Sequence, residues 1–165
     1  MIMLFLTVVC LAGERSLSIC PTRAEESATP VAIDATGESV IVNISSSITE
    51  RVASWSPLRG KLEPVVVPRD SLLAEFGPHE DSMIRARVRA ASSDAVAIVM
   101  QVTVAGRSAL FVTFGGNVNQ WHVCSPAKSW HNPTCVQLDT RRRRVLVSQE
   151  TVMGTSEQYR LGGAG

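Results

Sequence analysis

The sequence predicts an all-β protein, built as an antiparallel β-sandwich or a small barrel with one short helix. Short segments rich in β-branched residues follow one another between closely spaced turn signals. Residues 82–90 alternate strictly between apolar side chains and arginine, which is the pattern of a half-buried strand. Only one segment carries helix signals, and no internal repeat indicates a solenoid or a propeller.

The N-terminus predicts a secretory leader. Residues 1–13 are apolar over about a dozen positions, well short of the ~20 residues that a transmembrane helix needs. Thr22 and Ala24 place small residues at positions −3 and −1 of a cleavage site after Ala24. We therefore expect residues 1–24 to be a signal peptide and the mature chain to have no transmembrane segment. The protein would then be secreted or periplasmic. The alternative is that the apolar run stays attached, as an anchor or a buried strand.

The rest of the chain has the length of one domain. About 140 residues follow the leader, enough for a single core but hardly for two. We assign residues 25–37 to a flexible N-terminal segment because they open with a polar stretch. Residues 38–160 form the single β domain, and the glycine-rich residues 161–165 are a tail.

The first half of the domain predicts two strands and the helix. Residues 38–44 are rich in β-branched side chains, and residues 65–67 are three valines between prolines, which indicates a short edge strand. Residues 70–77 carry the helix signals: Asp70 as an N-cap, good helix formers, and Gly77 as the stop.

The second half predicts an antiparallel meander. In residues 82–90 the apolar side chains of positions 84, 86, 88 and 90 share one face, and the arginines take the other. In residues 95–105, Gln101 and Thr103 share the face opposite the apolar residues. A tight turn near Gly106 leads to residues 108–114, which are apolar on both faces and therefore predict a central strand. Further strands are expected at residues 120–124, 135–139 and 143–149.

Two cysteines and two histidines form the densest chemical cluster. His122, Cys124, His131 and Cys135 fall within fourteen positions, and two thiolates with two imidazoles are a ligand set that zinc accepts. In a secreted protein, however, two cysteines that flank a hairpin loop more often form a disulfide. We expect a Cys124–Cys135 bridge, worth about 2–3 kcal/mol for so short a loop. A structural zinc site and two free thiols are the alternatives.

The sequence does not predict an enzyme or a cofactor. It contains no nucleophile elbow, no zinc-protease motif and no phosphate-binding glycine loop. Thr134 followed by Cys135, with His79 upstream and the arginines of residues 141–144 downstream, resembles the sortases, which are β-barrel cysteine transpeptidases. The resemblance covers these three short points and implies a cysteine nucleophile assisted by histidine and arginine.

Charge is segregated along the chain. Residues 25–81 contain ten acidic and four basic residues, a net charge of −6, whereas residues 82–165 contain ten basic and four acidic residues, a net charge of +6. One interpretation is that the two halves attract each other within the fold. The other is a binding face for an anionic partner, because arginine binds oxyanions through paired hydrogen bonds. Its candidate residues are Arg85, Arg87, Arg89, Arg142 and Arg144.

These patterns predict a binding or interaction module. Its partner would be another protein or an anionic surface polymer. Nucleic acid is not expected, because an exported protein does not meet it and the few aromatic residues do not interleave with the basic ones.

Overall fold

The computed structural model describes residues 22–34, 36–92, 96–114, 120–125, 133–150 and 156–160. Within these ranges the side chains of residues 125, 133–135, 146–150 and 156–160 are not described. The all-β class with one short helix is confirmed, since the strands form three antiparallel sheets and the described residues contain one α-helix. The choice between a sandwich and a barrel stays a prediction.

Sheet A contains four strands in sequence order, joined as a meander. They are β1 (Ser27–Ile33), β2 (Val40–Ser45), β3 (Glu50–Ser56) and β4 (Lys61–Pro64). Strand β1 lies inside the segment that the sequence assigned to a flexible region. Its polar start hides the strand pattern, and a bulge between Pro30 and Ala32 interrupts the alternation. Proline is tolerated here because β1 is an edge strand.

The edge strand predicted at residues 65–67 is wrong in position. Strand β4 ends at Pro64, and only the amide of Val65 continues the pairing, by donating to the Val52 carbonyl oxygen at 3.0 Å. Val65 and Val67 are buried, whereas Val66 is exposed. The alternation of the three valines therefore serves core packing.

Helix α1 (Arg69–Phe76) begins earlier than the sequence predicted. Its N-cap is Pro68 rather than Asp70, which lies in the first turn, where a carboxylate interacts favourably with the helix dipole. Gly77 ends the helix as predicted, with φ of 75°, a conformation that glycine adopts without steric cost. A short 3-10 turn at Asp81–Met83 then leads into sheet B.

Sheet B forms the first part of the predicted meander, whereas the strands predicted at residues 135–139 and 143–149 belong to a separate sheet. Its strands, in order, are β5 (Ile84–Ala91), β6 (Ile98–Val104), β7 (Arg107–Thr113) and β8 (His122–Ser125). Strand β7 is buried on both faces, as predicted for a central strand. The β6–β7 turn places Ala105 and Gly106 at positive φ, the signature of a tight hairpin turn.

The strict alternation predicted for residues 82–90 is wrong at its end. Strand β5 has a bulge at Arg89, so that Val88 lies opposite Met100 and Ala90 lies opposite Val99. Val88 and Ala90 therefore pack on opposite faces of the sheet. A bulge inserts one unpaired residue, which the sequence pattern alone does not reveal.

Two core clusters cover the two faces of sheet B. The inner cluster joins its inner face to sheet A and helix α1, and includes Ile41, Leu72, Phe76, Met100 and Phe111. The outer cluster joins its outer face to sheet C, which consists of β9 (Pro133–Asp139), β10 (Arg144–Glu150) and β11 (Ser156–Arg160). The buried members of the outer cluster are Val99, Leu110, Val112, Cys124 and Val145.

The side chain of Asn43 links sheet A to the edge of sheet B. The Val88 amide donates to Asn43 Oδ1 at 2.9 Å, and Asn43 Nδ2 donates to the Val88 carbonyl oxygen at 3.4 Å. Among the described strands, β5 has no hydrogen-bonded neighbour on this side. The carboxamide thus satisfies two main-chain groups that an edge strand would otherwise leave unpaired.

We expect Asn43→Ala to lower the free energy of unfolding by about 1–3 kcal/mol, because it leaves the Val88 amide unsatisfied. Asn43→Asp keeps an acceptor for that amide but sets a carboxylate against the Val88 carbonyl, and should also destabilise. Denaturant unfolding measures both changes. The control is Ser27→Ala, which removes an exposed hydrogen bond to Ser45. A loss for Asn43→Ala no larger than that of the control would contradict the assignment.

Candidate functional site

Three arginines of strand β5 lie on the outer face of sheet B. Arg85 and Arg87 are exposed and Arg89 is half-buried. Arg87 donates to Gln101 Oε1 from Nε at 3.4 Å and from Nη2 at 3.2 Å. Arg89 Nη1 donates to the same oxygen at 3.0 Å. Two guanidinium groups therefore converge on one neutral acceptor.

Gln101 lies in the middle of strand β6 and is only 5% exposed. Its Nε2 donates to Ser108 Oγ at 3.1 Å, and Ser108 in turn shares a 2.7 Å hydrogen bond with Thr103. Because the amide nitrogen is held by Ser108, the amide oxygen faces the arginines. This chain of polar groups fixes where the two guanidinium groups lie.

Sequence reasoning found the arginines but missed the role of Gln101. The available signal was a lone amide in an apolar strand, placed on the same face as Thr103. Its partners depend on the register, which sets Arg87 opposite Gln101 and Thr103 opposite Ser108. A cross-strand register of this kind cannot be read from one segment.

The arginine run at residues 141–144 occupies the turn between β9 and β10 and the first position of β10. The Arg142 amide donates to Asp139 Oδ1 at 3.1 Å, and the Arg142 guanidinium lies 3.9 Å from the same carboxylate. Arg143 adopts a positive φ of 49°, and its guanidinium carbon lies 5.5 Å from the centre of the Phe114 ring. Arg144 begins strand β10.

The arginine turn and the β5 arginines belong to two different sheets, which pack on each other through the outer cluster. Phe114 packs on the outer cluster, and it follows Thr113, which lies opposite Ile98 and thereby level with Ala91 at the end of β5. The turn is therefore nearer to Arg89 than to Arg85. We call the five predicted binding residues, Arg85, Arg87, Arg89, Arg142 and Arg144, the arginine face. Val145 packs inward on the outer cluster, so its strand neighbour Arg144 points to the opposite face of sheet C.

The cysteine cluster is described only in part. The side chain of Cys124 is buried in the outer cluster, and in the reduced protein this burial raises the pKa of its thiol to about 12. His122 is exposed, and no group of three metal-ligating side chains occurs among the described residues. His131 and the Cys135 side chain lie outside the described part, so the disulfide and the zinc site stay predictions.

The pH dependence of stability distinguishes a reduced Cys124 from one that forms a disulfide. The unfolded thiol ionises near its usual pKa of 9.0, whereas the folded thiol resists ionisation up to about 12. The unfolded state is therefore favoured as the pH rises, and the reduced protein should lose stability from pH 9 toward pH 12.

The predicted Cys124–Cys135 bridge has no such ionisation. Under non-reducing conditions, peptide mass spectrometry should find the two cysteines joined, and the unfolded protein should not react with iodoacetamide at either position. Recovery of both cysteines alkylated after unfolding without reductant would contradict the bridge. One bound zinc per chain would contradict it as well.

A concave site lies beyond the C-terminal end of helix α1. It has a volume of about 500 Å³ and is lined by Phe76, His79 and Arg107, among others. His79 Nδ1 donates to the Gly77 carbonyl oxygen at 2.7 Å, so that Nε2 is the acceptor of the neutral ring. Arg107 donates to the Phe76 and Glu75 carbonyl oxygens and so satisfies the end of the helix.

His79 does not lie on the same side of sheet B as strand β9. Its ring meets Phe76 of the inner cluster edge to face at 6.3 Å, whereas Val136 and Leu138 of β9 pack on the outer cluster. Cys135 belongs to β9. The described geometry therefore gives no support to a sortase-like pairing of His79 with Cys135.

The comparison with known proteins identifies no relative of this chain. No protein-family model matches the chain, and no curated protein shows significant similarity to it. Among the described residues, no helix has both the length and the apolar character needed to cross a membrane.

Proposed function

We propose that this protein is a secreted or periplasmic binding module that engages an anionic polymer through the arginine face. Binding rather than catalysis is the proposed role. The observation that carries it is the convergence of Arg87 and Arg89 on Gln101.

Gln101 orders the two guanidinium groups without adding a negative charge of its own. An incoming anion would interact favourably with both positive charges. Each guanidinium has five N–H donors, of which Gln101 takes two from Arg87 and one from Arg89. Arg87 therefore keeps donors with which sulfate, phosphate or carboxylate oxygens could pair.

The extent of the arginine face favours a polymer over a single small anion. Arg85 and Arg89 are four residues apart on one strand, a distance of about 13 Å at the usual strand rise. The β9–β10 turn adds positive charge near Phe114, over whose ring the Arg143 guanidinium lies. A chain of regularly spaced anionic groups would meet several of these guanidinium groups at once, and its affinity would fall steeply with salt.

Paired substitutions test this surface. Arg85→Gln with Arg87→Gln should lower the salt concentration at which the protein leaves a heparin-like column, and so should Arg142→Gln with Arg144→Gln. The control is Arg59→Gln with Arg69→Gln. It removes the same charge from exposed arginines that pair with Glu38 and Asp81. Thermal stability should change little in all three proteins, since exposed ion pairs contribute only ~0–1 kcal/mol each and Arg89 still donates to Gln101 when Arg87 is replaced.

Equal shifts for the control and the two test proteins would show that net charge alone drives retention, and would contradict a specific face. A large loss of thermal stability with unchanged retention on the column would show that these arginines stabilise the fold and do not bind an anion. Retention by the column together with stronger, salt-resistant binding to an acidic protein would replace the polymer with a protein partner.

A further inference from the structure

The concave site beyond helix α1 lies between the end of that helix and the β6–β7 hairpin, and we call it the helix-end pocket. Gly77 ends the helix with a φ of 75°, and the chain then returns to sheet B through the 3-10 turn at Asp81–Met83. Val104, at the end of β6, and Ala105, in the hairpin turn, also line the pocket.

The wall of the helix-end pocket is mainly apolar. Phe76 and Val104 are buried members of the inner cluster, whereas Met83 is 49% exposed and Pro78 and Ala105 are exposed. The pocket therefore reaches from the edge of the core to the surface. Its volume of about 500 Å³ lies within the ~300–1,000 Å³ range of small-molecule sites. An exposed apolar surface with polar residues at its rim is typical of a ligand-binding groove.

His79 supplies this pocket with a fixed hydrogen-bond acceptor. Its Nδ1 donates to the Gly77 carbonyl oxygen at 2.7 Å, and its ring meets the Phe76 ring edge to face. These two contacts hold the imidazole in place. Because the proton is on Nδ1, Nε2 of the neutral ring is an acceptor, and no described residue donates to it.

The charged side chains of the wall balance each other. Arg107 donates to the carbonyl oxygens of Phe76 and Glu75, and its guanidinium carbon lies 5.9 Å from the centre of the Phe76 ring. Glu80 is the other charged residue of the wall, and it accepts from the Ser82 hydroxyl at 3.3 Å. With a neutral His79 the formal charge of the wall is zero, which favours a neutral ligand.

We propose that the helix-end pocket binds a small neutral molecule that has an apolar ring system and a hydroxyl group. The rings contact Phe76, Val104 and Met83, and the hydroxyl donates to His79 Nε2. Contact with the apolar wall supplies affinity, and the hydrogen bond fixes the orientation of the ligand. Phenols and related aryl alcohols combine these two features. The pocket contains no residue of the arginine face, so its occupancy does not depend on anion binding.

A pair of ligands tests the hydrogen bond. The first, β-naphthol, carries the hydroxyl, which stays protonated at neutral pH like that of tyrosine. Its methyl ether has the same rings but no donor. Naphthalene fluorescence should show that the native protein binds β-naphthol with a Kd several-fold lower than that of the ether. His79→Phe should bring the two Kd values together, whereas His122→Phe, which replaces an exposed histidine of strand β8, should preserve the difference.

A second variant tests the location and leaves His79 intact. Met83→Trp puts a large side chain into the pocket from an exposed position, and should weaken the binding of both ligands several-fold. The matched control is Val123→Trp, because Val123 is 39% exposed but lies on strand β8 and does not line the pocket. Equal Kd values of the two ligands for the native protein would overturn the proposal. Equal effects of the two tryptophans would overturn it as well, and so would a native protein that binds neither ligand.

Discussion

The side-chain amide of Gln101 joins the charged surface of sheet B to its buried interior. A buried amide is costly unless each of its polar atoms is paired. Here the nitrogen is bound by Ser108 and the oxygen by Arg87 and Arg89. Because the nitrogen has a fixed partner, the oxygen has a fixed direction, and that direction places two guanidinium groups on the outer face.

Sheet B can support this arrangement because it is covered on both sides. The inner cluster ties it to sheet A and helix α1, and the outer cluster ties it to sheet C. Asn43 forms hydrogen bonds with the main chain of Val88 at the edge of strand β5, next to the bulge at Arg89. The strand that carries the arginines is therefore held by side-chain packing, by its ladder with β6 and by a carboxamide across the sheet edge.

Features set by a few neighbouring residues could be predicted from the sequence. Glycine at the end of helix α1, the tight turn at Gly106 and the shared face of Gln101 and Thr103 are of this kind. Features that depend on distant residues could not. The bulge at Arg89 depends on the pairing of β5 with β6 and on the contact with Asn43. Strand β1 forms because it pairs with the edge of β2. At the candidate site, the arginines were evident, but the acceptor that organises them required the register.

The central claim is that Gln101 organises the arginine face, and a double-mutant cycle tests it most directly. Gln101→Leu leaves the net charge unchanged, yet it should lower the salt concentration at which the protein leaves a heparin-like column. Adding Arg87→Gln should then lower it by less than the same substitution does in the native background, because the two residues act as one unit. Unchanged retention of Gln101→Leu, or fully additive effects, would contradict the account.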